Sequence, residues 1–201
     1  MTLERLLTYK DAQATGPWKE VAPDIVTVPF WQPSFCQCLV DAADLLDEYK
    51  PLDVDVKQKT APGQELRFNR ISPRLAELFE KDIQERIAPI IRTHWWPITL
   101  GHVRMPFVLK YSPDTQDSMD PHHDAALVSM TMPLNTGYEG GYLSFPRQHW
   151  DTRDMEVGHL VLFPSRVTHV HWVSPVTSGT RYAMTCWIDQ ANFRPEDAIL
   201  P

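Results

Sequence analysis

From His102 onward the chain is written in short β-rich runs, at 103–111, 122–134, 141–145, 158–163, 168–173 and 181–189, each cut off by turn residues. This texture constrains the fold more than any other feature. Ahead of it lie two helical patterns. Ser34 opens one to about Tyr49, with Phe35, Leu39, Ala42, Ala43 and Leu46 at helical spacing. Ser72-Pro73 opens the other to about Arg92, with Leu75, Leu78, Phe79, Ile83, Ile87 and Ile90 on one face, and Pro89 predicts a break or kink near its end. Two helices followed by many short strands predict a mainly β fold, a double-sheet sandwich or jelly roll with the helices packed on one sheet. Eighteen prolines suit the loops of such a fold.

At 201 residues there is room for one domain with a real core and little for a second. Residues 1–23 read as an irregular arm with one short helical stretch at most, 24–201 as a single domain opening on a strand at 24–30. Residues 50–71 read as a loop with at most one strand, turning at Pro62-Gly63. A formal net charge of −7 argues against nucleic acid as the main partner. No apolar run approaches a membrane span, and the N-terminus shows no secretory pattern. Three cysteines, two of them only two positions apart, do not form a disulfide framework. The expected setting is intracellular, cytoplasmic, with a small-molecule or peptide substrate.

The chemistry concentrates in the β-rich half. In Met119-Asp120-Pro121-His122-His123-Asp124, strand alternation would put His122 and Asp124 on one face and His123 on the other. Thr168-His169-Val170-His171 offers two candidates for a third ligand on another strand. Two histidines and a carboxylate on one side of Fe(II) leave three positions open, the facial triad of non-haem iron oxygenases. Zinc takes similar ligands and competes on these residues alone. A lone His-x-Asp is also common by chance. Arg181, ten residues after His171 and across a Pro175/Gly179 turn, adds a rigid donor fork matched to a carboxylate such as that of 2-oxoglutarate. If Arg181 points inward, so do Ala183, Thr185 and Trp187. Thr185 could then bond the cosubstrate and Trp187 wall the pocket, and ordinary packing explains both equally well. His94-Trp95-Trp96 and His149-Trp150 read either as pocket elements or as core and surface residues.

His122-His123-Asp124-Ala125, Glu139-Gly140-Gly141, the run from Phe163 to His171 and Gly179-Thr180-Arg181-Tyr182 together resemble the catalytic domain of procollagen-lysine hydroxylases, and more broadly the prolyl and lysyl hydroxylase type of Fe(II)/2-oxoglutarate dioxygenase. The likeness spans about 24 to 189. It implies a double-stranded β-helix fold, with Fe(II), 2-oxoglutarate and O2 as cofactors and ascorbate as a candidate addition. It selects His171 over His169 as the ligand, and makes Tyr111 a contact of 2-oxoglutarate. The implied reaction is hydroxylation of an unactivated C–H bond, on an amino-acid side chain (lysine or proline, peptidyl or free), with release of succinate and CO2. The alternatives are a small metabolite as substrate or, in a different class, an inactive β-sandwich that binds or senses. Asp124 argues against halogenation, since halogenases of this superfamily carry a small residue there. Trp187 stands where nucleic-acid demethylases usually carry a second arginine.

Overall fold

The computed structural model of the chain describes residues 6–49, 64–95 and 99–191. The Pro62-Gly63 turn and Trp96 lie outside them. Helix α1 (Pro33–Leu46) starts on Pro33, where a missing N–H costs nothing, and ends on Asp47, whose φ of 46° lets its N–H reach Ala43 O. Ser34 is therefore one residue inside the helix, and Gln32 holds the cap position. After the single turn α2 (Phe68–Ile71), helix α3 (Pro73–Asp82) is capped as predicted: Ser72 Oγ accepts from Leu75 N at 3.3 Å. Pro89 does not stop the helical path. Ile83–Ile87 widens into a π turn, with Ala88 N–H bonded to Ile83 O, and α4 (Ala88–His94) continues beyond it. Proline has no N–H and crowds the carbonyl four residues back; the widened turn just ahead of it relieves both problems.

The strands follow as β1 (Lys19–Ala22), β2 (Ile25–Pro29), β3 (Glu65–Arg67), β4 (Leu100–Val103), β5 (Phe107–Tyr111), β6 (Met119–His122), β7 (Val128–Pro133), β8 (Glu139–Gly140), β9 (Leu143–Phe145), β10 (Trp150–Asp151), β11 (His159–Pro164), β12 (His171–Val173), β13 (Val176–Ser178) and β14 (Arg181–Gln190). The described pairings are antiparallel. An eight-stranded sheet runs β1-β2-β11-β7-β14-β5-β3 with β4 also on β14. A four-stranded sheet runs β10-β9-β12-β6, and β13 pairs β8. This is the mainly β jelly roll that the sequence predicts, with helices on one face of the larger sheet.

Alternation along the strands sorts the side chains into two cores. On β11, Leu160 and Leu162 join Leu39, Leu75 and Phe79 of the helices, whereas Val161 and Phe163 face the second sheet with Phe145 and Leu143. On β14, Tyr182, Met184, Cys186 and Ile188 face the helices. Arg181, Thr185 and Trp187 therefore face the space between the sheets, where the site lies.

Two further expectations change. The run at 122–134 is not one strand: β6 ends at His122, and 123–127 cross from the smaller sheet to β7 in the larger one. The segment read as an irregular arm contains β1 and buries Leu6, Tyr9 and Ala12. Lys19-Glu20-Val21 is exposed, so β1 owes its form to pairing with β2 and shows no apolar period in sequence. Arg86 reinforces the tie, donating to Ala14 O at 2.7 Å and Asp82 Oδ2 at 3.0 Å.

Candidate active site

His122, at the end of β6, sits opposite His171, at the start of β12, as direct partners in the smaller sheet. Their ring centroids are 4.4 Å apart. Asp124 enters from the crossover after β6, its N–H donating to Ser165 O at 3.1 Å. Nε2 of His122 lies 3.6 Å from Asp124 Oδ1, and Nε2 of His171 lies 3.6 Å from Oδ2. One donor atom from each of the three falls within 4.8 Å of the others.

The protons can be placed. His122 Nδ1 is 2.7 Å from the carbonyl of Asp120, and His171 Nδ1 is 2.9 Å from the carbonyl of His169. A carbonyl only accepts, so each Nδ1 carries the hydrogen and each Nε2 presents a lone pair. Burial against Phe145 and Phe163 holds His171 below the usual imidazole range, outweighing the pull of Asp124, and so keeps it neutral. Two imidazole nitrogens and a carboxylate thus converge, an arrangement that could hold a cation at its centre. The donor set, two imidazoles and one carboxylate, suits Fe(II) with positions left open.

His169 is not part of the cluster. Its Nε2 donates to Pro23 O at 3.3 Å, leaving Nδ1 to accept from Thr168 Oγ1 at 2.9 Å. It serves His171 only through its backbone carbonyl. The exposed His123 bonds Val167 O at 3.3 Å, and His149 and Trp150 line a separate surface cavity beside Asp151 and Arg153. Trp95 bonds Asp24, and neither it nor His94 lines the central cavity.

That cavity, of about 270 Å³, extends from the three donors to Arg181. Arg181 on β14 is the direct cross-strand partner of Tyr111 on β5, and its guanidinium carbon lies 5.2 Å from the Tyr111 ring centre. Both residues are buried, at 5% and 1% exposure, yet Arg181 Nη1 and the Tyr111 hydroxyl have no hydrogen-bond partner. Burial, with Asp124 adding to it against the opposing effect of Arg181, pushes the Tyr111 hydroxyl up to about 12, so it remains a donor. Gly141, at φ +67°, makes room for the arginine: a Cβ there would come within 2.7 Å of Arg181 Cδ. Two buried, unpartnered donors at the far end of a cavity from a cation site match a ligand that chelates a metal at one end and carries a carboxylate at the other. Thr185 and Trp187 line the same cavity. Trp187 packs on Phe107, and its indole N–H also lacks a partner.

Arg104 and Ser129 were not singled out from sequence. Arg104 is held by Asp189 at 2.7 Å and donates to Ala125 O at 2.7 Å, pinning the loop that follows Asp124. Nothing local marks it, because its partners are 21 and 85 residues away. Ser129 bonds Asp124 directly. The alternation of hydroxyl and apolar side chains in Val128-Ser129-Met130-Thr131 carried that signal.

A jelly roll that brings two histidines and one carboxylate together beside a carboxylate-sized cradle defines the class of facial-triad oxygenases. Residues 106–189 match the family model described as 2OG-Fe(II) oxygenase superfamily, and the chain belongs to that superfamily. Fe(II), 2-oxoglutarate and O2 are the cofactors that this membership carries, and the donors described above fit them. The mouse procollagen-lysine,2-oxoglutarate 5-dioxygenase 1 is 30% identical over 190 residues, covering 90% of this chain and 26% of its own. The Caenorhabditis elegans multifunctional procollagen lysine hydroxylase and glycosyltransferase is 28% identical over 184 residues, covering 85% and 24%. The chain thus spans about a quarter of the length of these curated relatives. Among solved structures, a viral collagen prolyl hydroxylase from Paramecium bursaria chlorella virus 1 superposes with a TM-score of 0.63 at 17% identity, over 84% of this chain and 98% of its own. A Pseudomonas putida prolyl-4-hydroxylase superposes with a TM-score of 0.62 at 18% identity, over 96% and 100%. These likenesses establish the shared fold.

Proposed function

We propose that the chain hydroxylates an unactivated C–H bond of an amino-acid side chain, in a peptide or free, with His122, Asp124 and His171 holding Fe(II), and Arg181 and Tyr111 holding the distal carboxylate of 2-oxoglutarate. The observation that carries this is the pairing, in one cavity, of three converging lone-pair donors with an unpartnered buried guanidinium and hydroxyl. Bound there, Fe(II) with 2-oxoglutarate supplies the oxidising power for inserting oxygen from O2, leaving succinate and CO2. The chain's residues do the rest. The two Nδ1–H bonds fix the imidazoles with Nε2 forward. Arg181 sets the length and direction of the cosubstrate by a charge-assisted fork, and Tyr111 adds a second donor. Thr185 extends the polar edge. Phe145, Phe163, Leu109 and Leu143 keep the interior apolar, which excludes water from the reacting groups.

The amino-acid substrate is supported by the lysine hydroxylases among the relatives and the prolyl hydroxylases among the structural neighbours. Within the described lining Asp124 is the one carboxylate, so a lysine ammonium group beside the metal would find no acidic partner. That lining favours an uncharged target such as proline. The test is anaerobic addition of Fe(II) and 2-oxoglutarate to metal-free protein, followed by succinate release in air with proline peptides, lysine peptides and the free amino acids. A visible charge-transfer band with stimulation by one of these supports the reading. Iron bound without a band on adding 2-oxoglutarate refutes the cosubstrate site, and a band with no stimulation refutes the substrate class.

A further inference from the structure

Asp124 has two oxygens, and the structure treats them differently. Ser129 Oγ lies 2.5 Å from Oδ2 and 2.9 Å from Ser165 Oγ. A carboxylate only accepts, so the single Ser129 proton goes to Asp124, and Ser165 must donate to Ser129. Ser165 also receives Asp124 N–H on its backbone carbonyl, while its own N–H donates to Leu127 O at 3.1 Å. One residue thus ties both the backbone and, through Ser129, the side chain of Asp124. Both serines are buried, Ser129 at 1% and Ser165 at 0% exposure, on β7 and just beyond β11 of the large sheet. His122 and His171 belong to the other sheet. Asp124 itself sits in a crossover, where no ladder fixes its side chain.

We propose that Ser165 and Ser129 are positioning residues that hold Asp124 so that it meets the metal through Oδ1 alone. This rests on the metal assignment above. A carboxylate bound through both oxygens would occupy a position that 2-oxoglutarate or O2 needs. The hydrogen bond from Ser129 takes up a lone pair of Oδ2, which lies 3.6 Å from His171 Nε2, and fixes the rotation of the carboxylate, whereas Oδ1, 3.6 Å from His122 Nε2, has no hydrogen bond among the described residues and keeps its lone pairs free for a metal. Partners of this kind, behind the ligands, change metal affinity by about 10- to 100-fold when removed. Their anchorage in the large sheet also explains how a ligand on a loop is held against two ligands on the opposite sheet.

The test titrates Co(II), a spectroscopic stand-in for Fe(II), into metal-free wild type, Ser129→Ala, Ser129→Thr and Ser165→Ala. Affinity and the visible d–d spectrum are read with and without 2-oxoglutarate, and thermal midpoints are recorded without metal. The expected result is a loss of about 10- to 100-fold in Co(II) affinity with an altered spectrum for Ser129→Ala. Ser129→Thr, which keeps the hydroxyl, should restore both, and Ser165→Ala should fall between. Wild-type affinity and spectrum in Ser129→Ala would overturn the inference while leaving the metal site intact. A Ser129→Thr variant that folds but behaves like the alanine would assign the effect to packing and also overturn it. Failure of the wild type to bind Co(II) would overturn the metal assignment itself.

Discussion

Replacing Arg181 by Met removes the charge and keeps most of the buried stem, and the structure demands opposite effects on the free and the liganded protein. Arg181 is 5% exposed, Nη1 has no partner, and no ion pair to it occurs among the described residues. Without 2-oxoglutarate the substitution removes an uncompensated buried charge, so the variant should melt at or above the wild-type temperature. With saturating Mn(II), which resists oxidation, and 2-oxoglutarate at 100 times its Kd, the wild type gains about 2.7 kcal/mol. For a chain of this length that is a rise of about 5–11 °C. Losing one side of a buried charge pair weakens binding by about 2–5 kcal/mol, or roughly 30- to 4,000-fold. At the same 2-oxoglutarate concentration the Met variant should then rise by about 4 °C or less. Thermal unfolding with and without 2-oxoglutarate decides it. A variant that keeps the full ligand-induced shift, or that melts far below wild type without ligand, refutes the argument that this guanidinium waits for a carboxylate.

Four further outcomes follow from the same geometry. His171→Ala should abolish the visible Fe(II)–2-oxoglutarate band, whereas His169→Ala should keep it and lower the melting temperature by a few degrees, about 1–2 kcal/mol for the lost Pro23 bond. Tyr111→Phe should weaken 2-oxoglutarate by roughly 10- to 150-fold, as for one hydrogen bond to a charged group, in an equilibrium titration. Because burial raises the Tyr111 hydroxyl to about 12 in the folded protein, above about 10 when unfolded, its contribution to stability is complete below pH 10 and is lost as pH rises towards 12; a decline from this group at pH 8 would contradict the structure. Gly141→Ala meets both a positive φ and the Arg181 side chain, so it should destabilise by about 1–3 kcal/mol and weaken 2-oxoglutarate binding, measured by thermal unfolding and titration.

Part of this architecture is legible from local rules alone. Ser72-Pro73 marks a helix start because a hydroxyl next to a proline satisfies orphan N–H groups in any context. The two-residue period of 181–187 assigns Arg181, Thr185 and Trp187 to one face wherever that strand is placed. The residue types of a facial triad were likewise visible, as was an arginine one turn away. Each remaining choice is a matter of register between distant segments, and only long-range pairing resolves it. Strand alternation cannot separate His169 from His171; the pairing of His171 with His122, and of His169 Nε2 with Pro23, does. The same alternation placed Asp124 on a strand, but the chain has to change sheets after His122, and the carboxylate is held there by Ser129 and Ser165. Tyr111 and Arg181 are 70 residues apart and become a pair only when β5 lies against β14. A one-residue slip of either strand would turn its side chain to the helical core, so the binding cradle is a property of register, which no local pattern encodes.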